Sequence, residues 1–119
     1  MQFDHIVILA SDMEASLRHY STLLPALGFS KTRDHVWSFA NGFEIDLQPA
    51  RHSQSYERHG PGVNHYSVSV GSEDALESIA EALREAGLDV PIIQSFGNAR
   101  SLFLPDPDGL RLEIAYDPD

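Results

Sequence analysis

The sequence repeats itself. His5 of FDHIVIL returns as His65 of VNHYSVSV, Ala15 returns as Ala75, and the helix-ending Gly28 returns as Gly87 (65 − 5 = 60, 75 − 15 = 60, 87 − 28 = 59). A later match lays FEIDLQP on LEIAYDP and Glu44 on Glu113 at a wider spacing (113 − 44 = 69), so the connecting loops differ in length. Near-constant spacing of this kind is the trace of a duplicated supersecondary unit, and it restricts the fold to two copies of one arrangement.

The unit can be read twice. In the first copy QFDHIVILA is apolar and β-branched enough for a strand, and Ser11 with Glu14 three residues on predicts a capping-box start to a helix over 12–27. Leu17, Tyr20, Leu24 and Leu27 share one helix face; Gly28 ends it, and Pro25 bends or shortens its last turn. FSKTR is a further short strand, and HVWSFA and FEIDLQ are strands joined at Asn41-Gly42, a two-residue hairpin signal. In the second copy HYSVSV precedes a helix opened by Ser72, Glu73 and Asp74 and stopped at Gly87, with Leu76, Ile79, Ala80 and Leu83 on its apolar face. PIIQSF, SLFL and LRLEIAY follow as strands. The expected fold is α+β: two βαβββ modules with curved mixed sheets forming a metal-binding cavity, over about 1–50 and 63–119, joined by a polar linker over about 51–62.

Composition narrows the partners. A 119-residue chain can bury roughly two thirds of its unfolded surface, enough for a core without staples. With no cysteine, any metal must be held by His, Asp or Glu. The 8 Lys+Arg against 18 Asp+Glu give a formal charge of -10, which repels nucleic-acid backbones and anionic membrane and leaves a small molecule as the expected partner. Neither a signal peptide nor a long apolar run is evident, so a cytoplasmic protein is expected.

Three polar residues stand inside apolar strands: His5, His65 and Glu113. Singly, each is an ordinary strand residue facing water or a hydrogen-bonded partner. Jointly they are more informative, because the duplication sets the two histidines at one point of two first strands and Glu113 on a closing strand. Two imidazoles and a carboxylate that leave open positions suit a catalytic divalent metal.

FDHIVILASDMEASLRHYSTLLPALGF, GPGVNHYSVSV and PDPDGLRLEIAY together resemble the vicinal oxygen chelate superfamily, which includes glyoxalase I, extradiol dioxygenases, fosfomycin-resistance transferases and bleomycin-binding proteins. The resemblance covers almost the whole chain, and DPDG followed by a strand glutamate is its most specific part. It implies His5, His65 and Glu113 as metal ligands, with Zn, Ni, Mn or Fe as the ion. A fourth ligand would come from FEIDLQ, where Glu44, Asp46 and Gln48 share a strand face; Asp46 fits the glyoxalase pattern, Glu44 fits the internal repeat, and Asp46 ranks first.

The same resemblance implies lyase, isomerase or dioxygenase chemistry through a metal-stabilised oxyanion or enediolate, with Glu113 or Asp46 moving protons. Departures narrow it. Leu9 stands where bacterial glyoxalase I carries an arginine for glutathione, and IIQSFGNARSLFL lacks the lysine and tyrosine that hold fosfomycin's phosphonate. The extradiol enzymes usually have four modules rather than two. The alternative is a non-catalytic drug-binding protein of the bleomycin-resistance type, which lacks the ligand set. Chains of this size in the family commonly form homodimers, so a homodimer is expected.

Trp37, Phe39 and Phe103 are candidate pocket walls for a planar ligand and Arg100 a candidate anion contact, each weighed against a plain core or surface role. His19, His35, His52 and His59 are expected at the surface, with one of the loop histidines a candidate extra acid or base.

Overall fold

The structure is a computed structural model that describes all 119 residues. Residues 1–55 and 56–119 form two compact units. The first contains β1 (His5–Ala10), α1 (Met13–Ala26), β2 (Ser30–Arg33), β3 (Val36–Ser38) and β4 (Glu44–Pro49); the second contains β5 (His65–Ser69), α2 (Glu73–Glu85), β6 (Gln94–Phe96), β7 (Ala99–Pro105) and β8 (Arg111–Tyr116). Each unit is one open four-stranded mixed sheet, ordered β1-β4-β3-β2 and β5-β8-β7-β6. In each, the first strand lies parallel to the last, while the other pairings are antiparallel. The βαβββ reading therefore holds in both copies. No helix is long and apolar enough to cross a membrane.

Alternation along the closing strands decides which face meets the helix. In β4, Ile45 and Leu47 are buried while Glu44, Asp46 and Gln48 are half-buried on the other side; in β8, Leu112 and Ile114 are buried while Arg111 and Glu113 face away. Tyr20, Leu23 and Leu24 of α1 cover the first apolar face, and Leu76, Ala80 and Leu83 of α2 cover the second. Each of these buried leucines contributes about 1.5–3 kcal/mol by leaving water.

Two local readings are corrected. Asp12, not Ser11, caps α1: its Oδ1 accepts the Ala15 N–H at 3.2 Å, one position later than the Ser11/Glu14 box. The β3–β4 connection is not a two-residue turn. The Gly42 N–H bonds to the Phe39 carbonyl and the Phe39 N–H to the Phe43 carbonyl, with Gly42 at φ +91 and Asn41 outside the left-handed region. That is the three-residue loop with a left-handed glycine that competes with the tighter turn for the same Asn-Gly pair. Ser72 caps α2 as its sequence predicts, accepting the Ala75 N–H at 3.0 Å.

Candidate functional site

Strand pairing gathers part of the predicted set on the helix-free face of each sheet. In the first unit His5 lies beside Glu44, Val7 beside Asp46 and Leu9 beside Gln48. His5, Glu44, Asp46 and Gln48 thus share one face. The His5 imidazole donates through Nδ1 to Asp4 Oδ2 at 2.6 Å, and this bond, with Asp46 and Glu44 adding their charges, raises its pKa above the usual 6.5 against a smaller opposing effect of burial.

Asp46 makes an unexpected partnership. His35, expected as a surface loop residue, approaches Asp46 Oδ1 through Nδ1 at 2.8 Å, and Gln48 Nε2 donates to the same oxygen at 3.0 Å. Burial pushes the Asp46 carboxyl up, but the hydrogen bonds from His35 and Gln48, with the charges of His35 and Arg33, outweigh it and leave the pKa below the usual carboxylate value. Asp46 is therefore ionised at neutral pH.

In the second unit His65 lies beside Arg111, Ser67 beside Glu113, and Glu113 beside Phe103. The His65 Nε2 stands 3.2 Å from Glu113 Oε1, while Ser101, a buried residue, donates its hydroxyl to Glu113 Oε2 at 2.7 Å. Phe103 meets the His65 ring edge to face at 5.3 Å between centroids, and the Arg111 guanidinium lies 4.7 Å from the Phe103 centroid.

Register also settles which carboxylates correspond. Asp46 pairs with Val36 and Glu113 with Phe103, a common offset (113 − 46 = 67, 103 − 36 = 67), which makes Arg111 the counterpart of Glu44 (111 − 44 = 67). The sequence match of Glu44 to Glu113 is thus two residues out of step. A slip of two preserves the inside–outside alternation, so the apolar pattern could not detect it.

Other predicted site residues lie elsewhere. Trp37 is fully buried on the helix side of its sheet against Tyr20, with the Lys31 ammonium 5.6 Å from its ring, so it is core rather than pocket wall. Phe39 packs on Phe29 beside the end of α1, where a Cβ on Gly28 would come within 3.2 Å of its ring. Arg100 pairs with Tyr116 on the side that faces α2, and its guanidinium reaches Glu73 at 3.2 Å and Glu77 at 3.7 Å, which removes it from the face of His65 and Glu113. A shallow hollow of about 400 Å³ at the start of α2, lined by Ser72, Glu73, Asp74, Asn98, Tyr116 and Pro118, contains none of the predicted site residues. Sequence reasoning passed over Asn64, Ser101 and Arg111. The one available signal was that an Asx residue precedes both repeated histidines, Asp4 and Asn64 (64 − 4 = 60).

Within neither unit do three His, Asp or Glu side chains cluster as a complete cage. The His65–Glu113 pair nonetheless has the chemistry of a partial one. Two ligand atoms about 2.1 Å from one first-row divalent ion stand on the order of 3.0–3.4 Å apart at octahedral to tetrahedral angles, and the observed 3.2 Å falls inside that interval. Imidazole and carboxylate donors suit Zn, Ni, Mn and Fe alike.

Comparison with known proteins is consistent with this architecture. The sequence profile of the Glyoxalase/Bleomycin resistance protein/Dioxygenase superfamily matches residues 2–114. Among solved structures, a Bacillus halodurans protein assigned as a glyoxalase superimposes with a TM-score of 0.80 at 18% identity, covering 97% of this chain and 95% of that one. A glyoxylase/bleomycin resistance protein/dioxygenase domain from Frankia sp. EAN1pec gives 0.73 at 22%, covering 98% and 97%. The oxidase ChaP-H2 gives 0.63 at 25%, covering 99% and 94%. No curated protein matches the sequence.

Proposed function

Because the chain belongs to the Glyoxalase/Bleomycin resistance protein/Dioxygenase superfamily, we propose that it is a metal-dependent enzyme acting on a small molecule by glyoxalase-like lyase or isomerase chemistry or by dioxygenase chemistry, and not a glutathione-dependent glyoxalase I. The proposed ligands of the divalent cation are His65 and Glu113 with His5, and Asp46 ahead of Glu44 and Gln48 as the fourth. The observation that carries this reading is the approach of His65 Nε2 to Glu113 Oε1 at 3.2 Å on a helix-free sheet face. The 25% identical oxidase supports the oxygen-using branch of the chemistry.

When bound, the cation supplies Lewis-acid stabilisation of negative charge developing on substrate oxygens. The chain's own groups do the rest. Ser101 holds one oxygen of Glu113 and leaves the other directed at His65, while Phe103 and Arg111 offer a flat, cation-capped surface for substrate beside them. Asp46, kept ionised by His35 and Gln48, is the ligand and proton acceptor of the first unit, and Glu113 is its counterpart in the second. The working form of this proposal is a homodimer.

Metal content of untagged protein, dialysed separately against Zn, Ni, Mn and Fe(II) and measured by mass spectrometry, tests it. Stoichiometric uptake of at least one ion that is lost in His65→Ala and in Glu113→Gln is the expected result. A folded protein that takes up none of the four overturns the reading and leaves the non-catalytic drug-binding alternative. Light scattering of the same samples reads the dimer.

A further inference from the structure

The ring nitrogens of His65 are not equivalent, and the neighbouring amide decides which one is free. The Asn64 side chain is held at both ends: its Oδ1 accepts from Arg111 Nη2 at 3.0 Å, and its Nδ2 donates to the Arg58 carbonyl at 2.9 Å. A guanidinium can only donate and a carbonyl can only accept, so the orientation of the amide is determined by its partners. Its oxygen lies 2.7 Å from His65 Nδ1. An amide oxygen cannot donate, so Nδ1 carries the proton and a neutral His65 has its lone pair at Nε2. That nitrogen stands 3.2 Å from Glu113 Oε1, another acceptor. Two acceptors face each other, an arrangement that calls for a proton or a cation between them.

We infer that Asn64 is a positioning residue: locked between Arg111 and the Arg58 carbonyl, it fixes the His65 ring as its Nδ1–H tautomer and reserves Nε2, opposite Glu113, for a divalent cation. The inference rests on the ligand reading above for the cation, but not for the tautomer. The first unit supports it independently, because 60 residues earlier Asp4 Oδ2 accepts a hydrogen bond from His5 Nδ1–H at 2.6 Å and leaves that ring the same free nitrogen. A ligating histidine ordinarily has its second nitrogen tied to such an acceptor, which sets both ring orientation and tautomer.

The test needs no activity assay. In protein carrying 15N-histidine, at a pH where the imidazole is neutral, long-range 15N–1H correlation separates Nδ1–H from Nε2–H rings; the His65 signals are those lost in His65→Gln. Metal-free wild type should show His65 as Nδ1–H. Asn64→Ala should release it toward Nε2–H, whereas Asn64→Asp, which keeps an acceptor at that place, should hold the wild-type tautomer. Affinity for Zn should fall roughly 10–100-fold in Asn64→Ala and recover in Asn64→Asp. A wild-type His65 protonated at Nε2, or a tautomer unmoved by Asn64→Ala, overturns the inference, and the wild-type spectrum decides even if a variant fails to fold. If the tautomer behaves as stated while the wild type binds no Zn, Ni, Mn or Fe(II), the role of Asn64 on the ring stands and the cation assignment falls.

Discussion

The two units share one scaffold and differ in how they hold the same two kinds of side chain. In the second unit the imidazole and the carboxylate approach each other, His65 to Glu113 at 3.2 Å. At the corresponding position of the first unit the carboxylate is Asp46, one methylene shorter, and it is engaged by His35 and Gln48. The acceptor behind the ring differs as well: ionisable, mostly exposed Asp4 for His5, neutral and doubly anchored Asn64 for His65. Duplication preserved the backbone pairing and the placement of each imidazole, and divergence acted on the reach and charge of what surrounds it.

If the scaffolds are equivalent, truncating matched core positions should hurt alike. Trp37 and Leu104 correspond at the common offset (104 − 37 = 67) and both are fully buried on the helix side. Trp37→Ala is expected to cost about 3–5 kcal/mol and Leu104→Ala about 2–5 kcal/mol in urea denaturation. A loss under 1 kcal/mol for either would break the equivalence of the two cores.

The carboxylates should separate the units. Glu113→Gln is expected to weaken Zn binding by more than the roughly 100-fold upper range for an outer partner, and Asp46→Asn by less, as competition against a chelating dye would show. Equal losses would mean that the two half-sites contribute alike. Helix starts should again be equal: Asp12→Ala and Ser72→Ala each remove a cap and should cost about 1 kcal/mol in thermal unfolding.

The smallest effects are those of pH. Asp4 raises the folded-state pKa of His5, so the pair's contribution to stability is fully present below about 6.5 and is lost as pH rises through the raised value. Asp4→Asn should lower the His5 NMR titration midpoint toward 6.5. Asp46 has the opposite sign: its contribution is present above about 3.9 and is lost as pH falls through the depressed folded value. The stability advantage over Asp46→Asn should therefore shrink on acidification, and an advantage that grows below pH 4 would contradict the hydrogen bonds at Oδ1.

Much of this architecture was legible in the chain because it depends on periodicity and on punctuation. Alternation exposed the strands, Ser72 and Gly87 marked the ends of α2, and the repeated histidine revealed the duplication. The errors share a cause: they involve choices between states that the local pattern treats as equal. Asp12 and Ser11 are both good caps, a two-residue slip leaves Glu44 and Asp46 on one face, and Asn-Gly serves two hairpin loops. Arg100 and Phe103 were read as members of one site, yet pairing with Tyr116 and Glu113 sends them to opposite sides of β7: Arg100 lies with Leu102 toward α2, and Phe103 faces away. His35 and Asn64 act through partners 11 and 47 residues distant, His35 on Asp46 and Asn64 under Arg111, and nothing in the apolar alternation between the members marks them as partners.

Tyr56 anchors the loop that precedes β5. Its hydroxyl donates to the Val63 carbonyl at 2.6 Å and lies 3.1 Å from that of Asn64, while Asn64 in turn grips Arg58. The stretch from Tyr56 to Asn64 is in effect a cast moulded around the base of the histidine strand. Residues inserted before it would leave these bonds in place, whereas a single residue added within it would shift the acceptor behind His65 Nδ1.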